Sequence, residues 1–123
     1  MSESREKIVY LATHGGENPE KATIPFVLAT AAQAMDVDAV IGLQCDGVFL
    51  AKKGYADSVH AGGFPPLKEL LDTFLKEGGT LYVCSPCLKE RQIAEGDLIE
   101  GAEIAAAATF TDEILSAKAT LVY

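Results

Sequence analysis

The sequence predicts an α/β fold: a three-layer α/β/α sandwich with a five-stranded, mostly parallel sheet. Five short apolar runs alternate with segments of helical periodicity along the 123 residues. This alternation is typical of parallel sheets covered by helices, because a parallel strand pair requires a crossover connection. The length fits one domain. We expect a flexible tail over residues 1–6 and a single domain over residues 7–123.

The chain begins with a strand, a loop and a helix. Residues 8–12 form a near-continuous apolar run, which is typical of a strand covered on both faces. After a loop containing two glycines and Asn-Pro, we expect a helix that is entered at Thr23 and has Pro25 in its first turn. Its predicted buried face repeats at helical spacing and consists of Val27, Ala31 and Ala34.

Residues 39–43 predict a second strand, which ends near Cys45. Asp46 follows directly, and we expect its side chain to cap a short helical turn. Residues 52–66 contain three glycines and two prolines, which favour a surface loop. Loops of this length often have a function or are mobile.

The second half of the chain predicts the rest of the sandwich. Helices are expected over 67–75, 88–92 and 109–115, and strands over 81–83, 102–106 and 119–123. The expected core includes Ile8, Tyr10, Val27, Ala31, Val40, Leu43, Leu71, Phe74, Leu81 and Val83.

The most informative segment joins the third strand to the next helix. The apolar run ends on Cys84, Ser85 can cap a helix, and Pro86 fits the first helical position. Cys87 completes a C-x-x-C pair. A sulfur at a helix N-terminus is favoured in its thiolate form, which is the nucleophilic form of cysteine. We therefore expect Cys84 to have a lowered pKa and to react faster than the other two cysteines.

Other residues that can take part in chemistry follow the first two strands. His14 comes after strand one and Cys45 after strand two, so both should lie at the same sheet edge as Cys84 and Cys87. The loop that carries His60 leaves this edge as well. Cys45 is expected to be structural, the two histidines are weak candidates for accessory roles, and Arg91 is either a solvated residue or a group that stabilises a sulfur anion.

Composition excludes several classes of partner. The net charge of −8 argues against nucleic acid and an anionic membrane surface. The polar N-terminus and the lack of a long apolar run predict a cytoplasmic protein without a membrane span. Thiols stay reduced there, so a C-x-x-C pair indicates catalysis, redox chemistry or metal binding before a structural disulfide.

Over nearly its whole length the chain resembles the DsrE/DsrF-like proteins, which are linked to intracellular sulfur transfer. The resemblance includes residues 45–54, residues 84–91 and the closing helix and strand. It implies that Cys84 carries a persulfide, that sulfur donor and acceptor proteins are the partners, and that the protein forms a homo-oligomer, either a trimer or a hexamer. Cys87 departs from the single-cysteine pattern of the sulfur-relay members.

Three functions of different classes remain open. The first is a sulfur carrier or sulfurtransferase that holds a persulfide on Cys84 and needs no cofactor. The second is a thiol–disulfide redox protein in which Cys84 attacks and Cys87 resolves. The third is a non-catalytic module, which either assembles into oligomers or binds zinc through Cys45, Cys84, Cys87 and a histidine.

Overall fold

Strands and helices alternate along residues 5–123, the part of the chain that this computed structural model describes. The strands are β1 (Lys7–Ala12), β2 (Asp38–Leu43), β3 (Thr80–Cys84), β4 (Ala102–Ala105) and β5 (Ala119–Val122). The helices are α1 (Pro19–Ala34), α2 (Leu67–Lys76), α3 (Ser85–Glu90) and α4 (Ala107–Ser116). Three segments form 3₁₀ helices: Cys45–Ala51, called the first 3₁₀ helix below, Ala56–Ser58 and Glu95–Asp97.

The five strands form one sheet in the order β4-β3-β2-β1-β5, and every neighbouring pair is parallel. This confirms the predicted α/β fold. The register aligns Leu43 of β2 with Val83 of β3 and with Ala12 of β1. The three central strands therefore end at nearly the same level, and the loops that follow them share one edge.

Helices cover both faces of the sheet. α1 and α2 lie on one face, where Phe26 and Phe74 meet edge to face with their ring centroids 6.0 Å apart. α4 lies on the other face, where Phe110 packs against Tyr82. Gly42 leaves room for this ring, since a Cβ there would lie 2.5 Å from Phe110 Cε1.

The start and the buried face of α1 differ from the prediction. The helix begins at Pro19, one turn before Thr23, because the Asn18 side chain caps it by accepting from the Lys21 N–H at 3.2 Å. Apolar residues occur on all sides of this helix, so periodicity does not select a face. The large Phe26 ring does, and it buries a different set of residues, which includes Ala22, Ala29 and Ala32.

Most of the predicted core is confirmed, with three exceptions that lie on α1 or at the start of β1. Ala31 is exposed, and Val27 and Ile8 are half-buried. Two helix boundaries also shift: α4 begins at Ala107 rather than residue 109, and α3 begins at Ser85. The seven buried positions are Tyr10, Val40, Leu43, Leu71, Phe74, Leu81 and Val83.

The segment between residues 52 and 66 is anchored rather than lying wholly on the surface. Ala56, Val59 and Ala61 are buried. Tyr55 stacks on Phe49 with a centroid distance of 5.4 Å, and its hydroxyl accepts from the Gly16 N–H at 2.7 Å. The aromatic contact therefore joins this segment to the first 3₁₀ helix, and the hydrogen bond joins it to the loop after β1.

At the N-terminus, residues 1–4 of the predicted tail lie outside the described part of the chain. Arg5 pairs with Asp38, and the Glu6 carbonyl accepts from the Asp38 N–H at 2.9 Å. The division into a tail and a single domain stays a prediction. Within residues 5–123, no helix is both long and apolar enough to cross a membrane.

The first 3₁₀ helix lies in close backbone contact with the end of β1. A Cβ added to Gly47 would lie 2.2 Å from the Ala12 carbonyl oxygen, which also accepts from the Gln44 N–H at 2.9 Å. Only a residue without a side chain fits this position. Gly47 therefore sets how closely the first 3₁₀ helix approaches the sheet edge.

We expect Gly47→Ala to lower the free energy of unfolding by about 1–3 kcal/mol, because backbone cannot yield to the new methyl group as a flexible side chain can. Urea unfolding measures the loss. Gly62→Ala is the matched control, since a Cβ there meets nothing within 4 Å, and it should be neutral or slightly stabilising. Equal stability of the two variants would contradict the close approach.

Candidate functional site

The residues singled out at the strand ends lie at one edge of the sheet. Cys84 is the last residue of β3, Cys45 follows β2 after one residue, and His14 follows β1 after one residue. Because these strands are parallel, their carboxyl ends meet at one edge, as expected. Cys87 joins them from α3. The edge carries all three cysteines of the chain.

Cys84 and Cys87 form a close pair of thiols. Their Sγ atoms lie 2.9 Å apart in hydrogen-bonding contact. Both thiols are free and half-buried, and both pack against the core. Cys84 is the residue that precedes α3, and Cys87 lies in its first turn, so the start of the helix holds the two sulfurs together. The pair can share one proton or close into a disulfide.

Cys45 makes its hydrogen bond to this pair through its backbone. Its thiol is exposed, which corrects the expectation of a structural cysteine. Its φ of +53° lies in the left-handed region, which non-glycine residues adopt at a cost of about 1 kcal/mol or more. In this conformation the Cys45 N–H donates to Cys87 Sγ at 3.2 Å. An N–H donor favours negative charge on the sulfur that accepts it.

The expected lowering of the Cys84 pKa is wrong. Burial raises the pKa of the Cys84 thiol, and the side-chain hydrogen bond with Cys87 raises it further. A backbone contact with Cys87 acts in the opposite direction but does not prevail. The helix that was expected to stabilise the thiolate is α3, which has only six residues and a correspondingly small end charge. Desolvation therefore outweighs the helix terminus at Cys84.

Arg91 and Asp46 connect the two backbone segments that carry Cys87 and Cys45. Arg91 Nε donates to Asp46 Oδ1 at 2.9 Å, and Arg91 Nη1 donates to the Cys87 carbonyl at 3.2 Å. The hydrogen bonds of the guanidinium thus go to oxygen atoms and not to a sulfur. Asp46 was expected to cap a turn, but no side-chain cap is formed there and its carboxylate binds Arg91 instead.

The two histidines make hydrogen bonds within their own loops. His14 Nδ1 contacts Glu17 Oε2 at 2.7 Å, and the other oxygen of Glu17 accepts from the Gly15 N–H at 2.7 Å. His60 Nε2 contacts the Phe64 carbonyl at 2.8 Å. These contacts hold the turn after β1 and the loop before α2. Accessory roles for His14 and His60 stay predictions.

Metal binding gains no support from the geometry of the site. Within residues 5–123, no group of three or more His, Cys, Asp or Glu side chains is arranged to hold a metal ion. Cys84 and Cys87 turn their sulfurs towards each other, and the exposed Cys45 uses its N–H. The described residues therefore do not assemble the zinc set of three cysteines and a histidine.

Comparison with known families agrees with this architecture. The model of the DsrE/DsrF-like family matches residues 6–123. The chain belongs to the DsrE/DsrF-like family. Its relatives include the uncharacterized protein MJ0760 of Methanocaldococcus jannaschii, which is 39% identical over 105 residues, or 85% of this chain and 38% of that protein. The chain thus spans well under half the length of MJ0760.

A second relative is similar in length to this chain. The uncharacterized protein MJ0989 of M. jannaschii is 35% identical over 98 residues, 80% of each chain. Among solved structures, the YchN protein from E. coli superposes with a TM-score of 0.81 over 96% of this chain and 99% of its own, at 23% identity. At that identity the superposition shows the shared fold alone.

The raised pKa of Cys84 predicts the order in which the cysteines react. Near neutral pH we expect iodoacetamide to label the exposed Cys45 before Cys84, because the Cys84 thiol keeps its proton to a higher pH than an ordinary cysteine, whose pKa is about 8.5. Labelling of Cys84 should rise only in more alkaline solution. Peptide mapping after brief labelling at a series of pH values measures this order.

The Cys87→Ser variant tests whether the neighbouring sulfur contributes to the raised pKa of Cys84. It removes the neighbouring sulfur, which raises the pKa of Cys84 by hydrogen bonding and by charge. The labelling profile of Cys84 should then move to lower pH while that of Cys45 stays in place. Labelling of Cys84 ahead of Cys45 near neutral pH in the parent protein would contradict this account.

Proposed function

We propose that this protein is a sulfur carrier or sulfurtransferase of the sulfur-relay type, with Cys84 and Cys87 as its thiol centre. Membership in the DsrE/DsrF-like family supports a sulfur-relay role. The observation that carries the proposal is the pair of free sulfurs 2.9 Å apart at the carboxyl edge of the sheet. Cys84 holds the persulfide, as the family resemblance implies for its position, and passes it to an acceptor thiol.

The proposed loading step moves one sulfur atom. The Cys84 thiolate attacks the outer sulfur of a donor persulfide, a new S–S bond forms on Cys84, and the donor S–S bond breaks. The donor leaves as a thiolate and takes up the proton that Cys84 lost. Cys87 Sγ is the donor to Cys84 Sγ, so its S–H is the nearest hydrogen-bond donor while the Cys84 sulfur carries charge.

Half-burial of Cys84 suits the storage of a persulfide. The same desolvation that raises the pKa of the thiol also limits the access of solvent thiols to a sulfur held there. The Cys84 side chain packs against the core, while the pair still opens to the sheet edge. In this proposal burial makes the free Cys84 thiol less reactive and gives the Cys84 persulfide a longer lifetime.

A second candidate function is thiol–disulfide exchange, which the 2.9 Å sulfur separation also favours. In that reaction one thiolate attacks a partner disulfide and the second thiol releases the partner, leaving a Cys84–Cys87 disulfide. The two functions change the mass of the protein in different ways. Sulfur transfer adds one sulfur atom to the chain, whereas disulfide formation removes two hydrogen atoms.

We expect Cys84→Ser to abolish sulfur loading, and Cys87→Ser to load and to keep the persulfide longer. The reason is that Cys87, at 2.9 Å, is the nearest thiol that can attack the Cys84 persulfide, release sulfide and close a disulfide. Intact-mass spectra after incubation with a small persulfide donor measure both the loaded fraction and its decay. Lys68→Gln, an exposed change on α2, is the matched control.

Two outcomes would overturn this assignment. If Cys87→Ser abolishes loading as completely as Cys84→Ser, Cys84 is not the sole acceptor and dithiol redox chemistry is the better account. If both variants load like the parent, neither residue of the pair carries the sulfur. Cys45 is then the remaining cysteine.

We further propose a homo-oligomer, a trimer or a hexamer, with sulfur donor and acceptor proteins as partners. An apolar groove beside α1 supports self-association: Leu28 and Met35 line one side, and Tyr10 and Leu121 line the sheet. Met35 is 74% exposed, although it is a large apolar residue. Water contact with this groove is unfavourable, and a second copy would remove it.

We expect light scattering to give the mass of three or six chains, and Met35→Glu to reduce it, because the new carboxylate would have to be buried in the contact. Thr73→Glu, an exposed change on α2, is the control and should leave the mass unchanged. A single-chain mass for the parent protein over a wide range of concentrations would contradict self-association.

A further inference from the structure

We propose that Arg91 and Asp46 are positioning residues that hold the Cys45 main-chain N–H against the Cys87 sulfur, and that this N–H stabilises negative charge on that sulfur. The inference deepens the proposed function and rests on it for its biological role. The geometry behind it does not depend on which sulfur chemistry the protein performs. It concerns Cys87, whose sulfur is the one that receives a main-chain donor.

The contacts form a closed ring between α3 and the first 3₁₀ helix. Cys45 N–H donates to Cys87 Sγ at 3.2 Å, and the Cys87 carbonyl accepts from Arg91 Nη1 at 3.2 Å. Arg91 Nε then donates to Asp46 Oδ1 at 2.9 Å, and Asp46 is bonded to Cys45 in the chain. A guanidinium suits this position because its two donors lie in one rigid plane. The ring fixes the distance between the donor N–H and the sulfur.

The backbone on the other side of Cys45 is held by the sheet. A Cβ on Gly47 would lie 2.2 Å from the Ala12 carbonyl oxygen, and a Cβ on Gly15 would lie 2.7 Å from the Asp46 carbonyl oxygen. The segment from Cys45 to Gly47 therefore sits between two tight backbone contacts and the Arg91 side chain. Its left-handed Cys45 conformation persists because its surroundings determine it.

The Arg91–Asp46 pair differs from an ordinary surface pair chiefly in what it connects. The Arg91 side chain is 23% exposed, whereas the Asp46 side chain is 48% exposed. The hydrogen bond to Asp46 raises the pKa of the Arg91 guanidinium, which is charged at neutral pH in any case. An exposed pair such as Lys68–Asp72 on α2 lies at the same 2.9 Å but connects only residues of one helix.

The donor matters whenever charge develops on Cys87. This happens when Cys87 loses its proton and when a disulfide of the pair is reduced with Cys87 as the leaving thiolate. The groups next to Cys87 are the Cys84 thiol at the end of β3, the Cys45 N–H at the start of the first 3₁₀ helix, and Arg91, which follows α3 and binds the Asp46 carboxylate. The N–H is the neutral donor among them that points directly at the sulfur.

The test is the rate at which Cys87 reacts with iodoacetamide in the full-length protein, followed by peptide mapping between weakly acidic and alkaline pH. Arg91→Gln and Asp46→Asn should each slow the labelling of Cys87 near neutral pH by about two- to tenfold, the value of one hydrogen bond. The pH profile of Cys87 should move to higher pH in both variants. Arg91→Lys, which keeps the charge and one donor, should restore part of the rate.

The double variant Asp46→Asn/Arg91→Gln should slow Cys87 no further than either single change, because both changes break the same ring. The matched control is Lys68→Gln/Asp72→Asn on α2, which removes an ion pair of equal length and should leave the Cys87 profile in place. Urea unfolding of every variant shows that labelling was measured on folded protein.

Three results would overturn the inference: an unchanged Cys87 profile in both single variants, additive losses in the double variant, or an equal loss in the α2 control. A loss of stability without a shifted profile would make the Arg91–Asp46 pair a structural brace only. Sulfur loading is measured separately. If the parent protein does not load sulfur but Cys87 labelling shifts as expected, the proposed function fails while the positioning role stands.

Discussion

The close approach of the first 3₁₀ helix to the end of β1 is the constraint on which the site depends. Gly47 allows it, since any side chain at this position would meet the Ala12 carbonyl oxygen. Two residues before Gly47, Cys45 has a left-handed conformation in which its N–H reaches Cys87 Sγ. The parallel sheet brings the strand ends to one edge. The backbone contact between Gly47 and Ala12 then positions the segment whose Cys45 N–H contacts Cys87 Sγ.

Two neighbouring thiols in this protein have unlike surroundings. Cys84 loses solvation through burial, which disfavours its charged form, whereas Cys87 accepts a hydrogen bond from a backbone N–H. Pairs of titratable groups in opposed environments are a common way to give two similar side chains different roles. With the sulfurs 2.9 Å apart, a charge on one sulfur opposes a charge on the other, which adds to the effect of burial in raising the pKa of Cys84.

The sequence predicted the three central strands well, because parallel strands covered on both faces leave continuous apolar runs. The edge strands β4 and β5 are largely exposed. It failed at α1, where apolar residues on all sides left the buried face undetermined until Phe26 packed against Phe74. At the site it identified Cys84 and Cys87 but not the link between Asp46 and Arg91, which lie 45 residues apart in the chain. No local pattern encodes such a contact, and the left-handed Cys45 has no sequence signal comparable to glycine.

Two opposing effects act on the pKa of the Cys84 thiol. A helix N-terminus favours the thiolate, whereas burial disfavours it. A helix terminus is worth about 0.3–1 kcal/mol at exposed sites and up to about 2 kcal/mol at favourable, partly buried ones, and α3 is only six residues long. Burial acts on the whole charge of the thiolate and grows with the depth of the sulfur. The position of a cysteine in a C-x-x-C motif therefore does not by itself set the pKa of its thiol. The surroundings of each sulfur matter more: burial raises the pKa of Cys84, while the main-chain donor points at Cys87.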